Sequence, residues 1–184
     1  MQTTLLHICC APCSIMCIRS LREEGIEPTG YWFNPNIHPK KEYQNRKNAL
    51  IEYARSLDMR LVCEGEYGLR GFLSAIYPNF DDRCGYCYAC RLRAAAQYAA
   101  EHGFSSFSTT LLISPYQNHE LLRQTGEQAA AEFGVSFLYR DFRPFFREGQ
   151  EKARELALYL QKYCGCIFSE EERYTKKKPA KQQA

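Results

Sequence analysis

A chain of 184 residues, 45% of them apolar, is long enough to bury a core as a single domain. Its formal charge of +3 is spread along the sequence, which excludes the concentrated basic footprint of a sequence-blind nucleic-acid binder while leaving a tRNA substrate open. No run approaches the roughly 18 apolar residues of a membrane span, and Met1 to Leu6 lacks the basic flank and apolar length of an export signal, so a cytoplasmic location without a membrane partner is expected. Ten cysteines in a reducing compartment then point to metal binding or redox work rather than structural disulfides.

Taken in order, Thr3 to Leu6 reads as a first strand that runs into His7-Ile-Cys-Cys-Ala-Pro-Cys13 and then a helix from about Ser14 to Glu24. Cys17, among apolar neighbours on that helix, reads as packing. Thr29 to Phe33 is a second strand closed by Asn34-Pro35-Asn36, and a polar helix spans about Lys40 to Leu57. Its basic half, Lys40, Lys41, Arg46 and Lys47, reads as a solvated face, with an RNA-phosphate contact as the alternative. A short strand, Arg60 to Cys63, carries a cysteine that reads as a core thiol, and a short helix follows from Leu69 to Tyr77. Cys84-Gly-Tyr-Cys87-Tyr-Ala-Cys90 leads into a helix at Arg91 to Glu101. Beyond Gly103 come a strand at Phe104 to Thr110, a loop at Leu111 to His119, a helix from about Glu120 to Phe133, a strand at Val135 to Tyr139, and a last helix at Gln150 to Tyr163. Residues 174–184 form a basic tail without apolar periodicity, expected to be disordered. Alternating strands and helices imply a Rossmann-like α/β domain over residues 1–173, with about five mainly parallel strands and helices on both faces. Every strand-end loop then lies on one rim.

The chemistry concentrates on that rim. Cys9 and Cys10 sit where a strand ends and a helix begins, a junction that favours anions and thiolates. Cys84 and Cys87 are spaced as Cys-x-x-Cys at a helix entry, so two junctions together supply four thiolates, the number an iron–sulfur cubane needs. A tetrahedral zinc site is the alternative that spacing alone leaves open. Cys164-Gly-Cys166 is suited to a reversible dithiol, because the intervening glycine permits a tight bend. The other strand-end loops contribute Asn34, Asn36, His38, Tyr116, Asn118, His119, Arg140, Asp141 and Arg143, residue types that suit hydroxyls, purine-like edges and phosphates.

Six stretches, in order, resemble the motifs of the cobalamin-independent epoxyqueuosine reductase family, QueH. They are His7 to Cys13, Tyr31 to Pro39, Cys84-x-x-Cys87-Tyr, Ser108 to His119, Asp141 to Pro144, and Tyr163 to Ser169, and the likeness runs from about Leu5 to Arg173. The resemblance implies a fold related to the nucleotide α-hydrolases, a [4Fe–4S] cluster and an additional iron. It also implies two-electron removal of the epoxide oxygen of epoxyqueuosine in tRNA, the last step of queuosine synthesis. Carried over by position, Cys9, Cys10, Cys84 and Cys87 match metal-binding cysteines, and Cys164 and Cys166 match a redox-active pair. Cys13 stands where relatives carry aspartate and becomes a candidate ligand of the second iron with a catalytic role. Asn34, Asn36, Tyr116, Asn118, Arg140, Asp141 and Arg143 are the candidate substrate contacts. Cys90 departs from the family pattern, and the electron donor is not implied. Two other readings remain: a zinc-stabilised RNA-binding module, and an ATP-dependent tRNA-modifying enzyme of the related fold. The latter lacks its phosphate loop here, since Cys-Cys-Ala-Pro-Cys has no glycine and Pro12 has no N–H.

Overall fold

The protein is described by a computed structural model covering residues 3–175. Five parallel strands, β1 (Thr4–His7), β2 (Pro28–Trp32), β3 (Leu61–Cys63), β4 (Ser106–Thr109) and β5 (Ser136–Phe137), form one sheet in the order β3-β2-β1-β4-β5. The central strands β1 and β4 are buried at every position, as befits strands covered on both faces. Thr4 and Ser106 could not be buried there alone; their hydroxyls pair with each other at 2.8 Å.

Chain order reverses between β1 and β4. From β1 the chain steps to β2 and β3 through α1 (Ala11–Glu23) and α2 (Lys40–Ser56). After α3 (Leu69–Ile76) it returns through α4 (Arg83–Glu101) to β4, and α5 (His119–Phe133) leads to β5. Right-handed crossovers place α1 and α2 on one face and α4 and α5 on the other. Helix α6 (Phe146–Glu155) packs on α1, and α7 (Ile167–Thr175) follows the Cys164-Gly-Cys166 stretch. The crevice at the carboxyl ends of β1 and β4 is where such sheets bind ligands, and Cys9 and Cys10 stand in it.

Several elements differ from their sequence readings for identifiable reasons. Helix α1 begins three residues early, at Ala11, with Cys10 extended as its N-cap residue and Pro12 in the first turn, where a missing N–H does no harm. Helix α4 begins at Arg83, so Cys84, Cys87 and Cys90 lie within it rather than before it. The last expected helix stops at Glu155. Ala157 takes a left-handed conformation, φ 50°, and Leu158 N–H bonds to the Ala153 carbonyl, closing the end as a glycine normally would. An alanine there gives no warning in sequence. The loop expected at Leu111 to His119 opens with a 3₁₀ turn, Thr110–Ile113. Cys63 is exposed on the edge strand β3, not a core thiol, while Cys17 is fully buried and contacts the Cys13 carbonyl. Tyr174 and Thr175 end α7; the remainder of the expected tail, residues 176–184, lies outside the described residues.

Helix α5 approaches β5 so closely that a Cβ at Gly126 would meet the Phe137 ring at 2.4 Å. Gly126→Ala is expected to lower unfolding free energy by about 1–3 kcal/mol in urea titration. Gly71→Ala in α3, where nothing lies within 4 Å, serves as the neutral or slightly stabilising control.

Candidate active site

At the end of β1, the Cys9, Cys10 and Cys13 sulfurs lie within 4.8 Å of one another, all three buried. Strand β1 delivers Cys9, while Cys10 and Cys13, at the N-cap and third positions of α1, share the entry of that helix. The positive end of α1 therefore faces the sulfurs. Thr110, at the end of β4, accepts from the Cys9 backbone N–H at 3.2 Å and turns its hydroxyl to the Cys9 sulfur at 3.4 Å. Cys10 and Cys13, hydrogen bonding toward Cys9, pull its thiol well below the ordinary range, with Thr110 and Arg91 assisting. Burial pushes Cys10 up; Cys13 rises through its contacts with Cys10 and Cys9. The trio thus ionises first at Cys9.

Cys84 and Cys87 stand one turn apart on α4 and join no comparably tight group of three among the described residues. They neighbour the Cys164-Gly-Cys166 loop instead: the charges of Cys164 and Cys166 raise both thiols, although burial is the main cause, and Cys87 is pushed up to about 12. The four-sulfur set Cys9, Cys10, Cys84 and Cys87 is divided between two adjoining groups, and Cys13 belongs with the first.

A buried arginine lies where the groups adjoin. Arg91 donates to the Cys87 sulfur at 2.9 Å and to the Cys87 carbonyl at 3.1 Å, and its charge also lowers the Cys9 thiol. Among the described residues it has no carboxylate partner. A guanidinium held out of water needs an anion; the lowered Cys9 thiol can supply one, and the raised Cys87 thiol can do so only when a metal displaces its proton. That donor chemistry fits a negatively charged, sulfur-held metal centre.

The segment after α6 covers the site. Gln161 donates to the Cys10 sulfur at 3.0 Å and the Cys13 sulfur at 3.5 Å. Arg46, 1% exposed, donates to the carbonyls of Tyr163 and Cys164 at 2.9 and 2.8 Å and pairs with Glu42 at 2.6 Å. It is therefore neither a solvated nor an RNA-facing residue of α2. His38 N–H bonds to the Gly165 carbonyl at 2.8 Å, and His38 Nδ1 accepts from Ile167 N–H at 3.2 Å. Gln117 donates to the Cys164 sulfur at 3.3 Å, its amide oriented by Tyr88, whose hydroxyl donates to Gln117 Oε1 at 2.7 Å.

The expected substrate contacts separate into two kinds. Asn34 is buried and its amide is engaged, accepting from His7 and donating to the Ile8 carbonyl at 2.9 Å, so it closes the β1 and β2 ends rather than facing a substrate. Asn118 caps α5 by accepting from Leu121 N–H. Arg140 is tied to Glu24, just past the carboxyl end of α1, about 20 Å along that helix from Cys10. All three make contacts within the protein. Asp141 and Arg143 pair with each other at 2.7 Å on the exposed rim, which holds the carboxyl down at about 2. Asn36 keeps an unpaired, buried Oδ1, and Tyr116 is 84% exposed, so both retain free capacity. Sequence reading passed over Arg91, Gln117 and Gln161. Arg91 follows Cys87 by four residues, a signal visible only once α4 is known to start at Arg83; Gln117 sits inside a motif whose flanking residues drew attention; Gln161 carries no signal.

A family model described as epoxyqueuosine reductase QueH matches residues 4–172. The chain belongs to the epoxyqueuosine reductase QueH family. Relatives bearing that name include a Dehalococcoides mccartyi protein, 39% identical over 172 residues and covering 94% of each chain. The Thermotoga maritima relative is 36% identical, covering 96% of this chain and 94% of its own, and one from Haemophilus influenzae is 33% identical, covering 90% and 70%. Among solved structures, a predicted subunit of tRNA methyltransferase from Methanocaldococcus jannaschii superimposes with a TM-score of 0.55 at 12% identity, covering 83% of this chain and 76% of its own. That likeness concerns the fold alone.

Two outcomes are expected of the scaffold. Arg46→Met strands Glu42 as a buried, unpaired charge and lowers stability by about 3–5 kcal/mol in urea titration, much of it recovered by adding Glu42→Gln. Burial holds His38 near 4, so the folded protein keeps it neutral while the unfolded chain protonates near 6.5. Stability therefore falls as pH drops from about 6.5 to about 4. His38→Asn, which keeps an acceptor for Ile167, reduces the loss between pH 7 and pH 5 by about 2 kcal/mol.

Proposed function

We propose that this member of the family is an epoxyqueuosine reductase, an oxidoreductase that removes the epoxide oxygen of epoxyqueuosine in tRNA to leave the cyclopentene of queuosine. The observation that carries the reading is the buried Cys9, Cys10 and Cys13 trio at the switch point of the sheet, linked through the charge of Arg91 to Cys87 and Cys164. Cys9, Cys10, Cys84 and Cys87 are the residues that would hold a [4Fe–4S] cluster, with Cys13 at an additional iron. Such a centre supplies single electrons and a Lewis acid for the epoxide oxygen.

The chain's own residues do the rest. Cys164 and Cys166 act as a dithiol: closing to a disulfide releases two electrons and two protons, and the epoxide takes up two electrons and two protons to give an alkene and water. Arg46 fixes the Cys164 backbone through its carbonyl, and Arg91 favours the anionic form of Cys9 by offering a buried positive charge. Asn36 and Tyr116 are the rim groups with capacity to meet the modified nucleoside, and Asp141 and Arg143 offer a charged pair on the exposed rim. Among the described residues no helix is long and apolar enough to cross a membrane, which accords with a tRNA substrate in the cytoplasm. The domain, on this reading, is residues 1–173.

Anaerobic purification with iron and acid-labile sulfide analysis, followed by assay on tRNA carrying epoxyqueuosine, tests the proposal. Iron, sulfide, broad visible absorbance and conversion to queuosine are expected. Cys9→Ala or Cys10→Ala should remove metal and activity together. Cys164→Ser or Cys166→Ser should abolish multiple turnover while leaving the absorbance in place. A colourless zinc protein that leaves epoxyqueuosine unchanged would favour the RNA-binding module instead.

A further inference from the structure

The two cysteines of the dithiol loop occupy opposite environments. Cys164 is exposed, whereas Cys166 is 8% exposed and packed with Phe72, Ile76 and Cys87. The Cys164 sulfur receives an N–H from Gln117 whose orientation is set by Tyr88 from the other side, so the amide offers its nitrogen and not its oxygen. The Arg83 guanidinium, paired with Glu172 and stacked over Phe168, puts its charge beside Cys166. The loop itself is held by Arg46 on the Cys164 carbonyl, His38 on the Gly165 carbonyl and Ser169 on the Gly165 N–H. By contrast the Cys9, Cys10 and Cys13 sulfurs are buried beneath Gln161.

We propose that exposed Cys164, seated on the Gln117 N–H, is the entry point for reducing equivalents, and that the electron donor is an external dithiol exchanging at its sulfur. The inference rests on the reading of Cys164 and Cys166 as a redox pair and adds the donor's chemical class and the polarity of the pair. A donor thiolate attacks the Cys164 sulfur; the Cys164–Cys166 bond breaks and a mixed disulfide forms on Cys164. Cys166 leaves as a thiolate beside Arg83 and takes up a proton. The donor's second thiol attacks its own sulfur in the mixed disulfide, closing to a disulfide and releasing Cys164 as a thiol. Two electrons and two protons pass from donor to protein, matching those the epoxide consumes. Access decides which sulfur is attacked, and stabilisation of the leaving thiolate favours the same direction.

The test uses metal-loaded protein, with glutathione disulfide as the probe of single variants and dithiothreitol as the external dithiol, each followed by alkylation and peptide mass mapping. Cys166→Ser should trap glutathione on Cys164, and Cys164→Ser should trap none on Cys166. Adding Gln117→Leu to Cys166→Ser should slow trapping about five- to tenfold, the worth of one hydrogen bond. Dithiothreitol should reopen the oxidised wild-type pair, while dithionite-reduced methyl viologen, a one-electron donor, should leave it closed. Trapping on Cys166 in place of Cys164, unchanged trapping in the Gln117 variant, or reopening by the viologen and not by dithiothreitol overturns the proposal. Failure of diamide to join Cys164 to Cys166 in wild-type protein overturns the underlying redox pair instead, and is read separately.

Discussion

Two guanidinium groups withdrawn from water set the terms for this structure. Arg46 has its answer in Glu42, with which it forms an ion pair, and in two backbone carbonyls of the Tyr163 to Cys164 segment. Arg91 has no such carboxylate and turns to the sulfur of Cys87. An uncompensated charge at that depth costs several kcal/mol; the lowered Cys9 thiol is the nearby sulfur that can answer it, while Cys87, pushed up to about 12, stays a thiol unless a metal takes it. Arg91 therefore favours negative charge at this site. Loading with a metal would supply that charge, because metals bind thiolates and not thiols.

The sheet explains why the sulfurs meet there. Strand order reverses between β1 and β4, and the turns after both strands must diverge to opposite faces. Cys9 and Cys10 lie in the first turn and Thr110 in the second, bridged by the Thr110 hydroxyl. His7 ties the same two strands through Thr109 and reaches Asn34 after β2, so three strand ends are fixed by one neutral imidazole that burial holds near 4. The covering segment, from Leu156 to Cys166, brings Gln161 to one sulfur group and the Cys164-Gly-Cys166 loop to the other.

Much of this was legible in the amino-acid order, and the failures have physical causes. Periodicity and β-branched runs located all five strands, and the motif after β1 announced a site at the switch point. Family motifs carried the activity. What periodicity could not reveal was the extent of α4: a Cys-Gly-Tyr-Cys stretch has the composition of a metal-binding turn, yet it continues a helix whose buried face includes Cys87, Tyr88 and Arg91. Arg46 reads as surface in the sequence because charged residues seldom lie buried, yet Glu42, four residues earlier, is its buried partner. Asn34, Asn118 and Arg140 lie in rim or connecting segments and look like ligand groups in sequence, and each also makes a contact within the protein that sequence does not reveal. Residue type at a strand end identifies capacity for recognition; only the partner list shows whether that capacity is free.

X-ray absorption at the iron edge of anaerobically purified protein tests the central claim most directly. The account predicts an iron centre with a shell of sulfur neighbours, reduced in sulfur count when Cys9 or Cys10 is replaced by alanine and retained when Cys63 is. Iron bound only by oxygen and nitrogen, or a spectrum indifferent to the loss of Cys9 and Cys10, would contradict it.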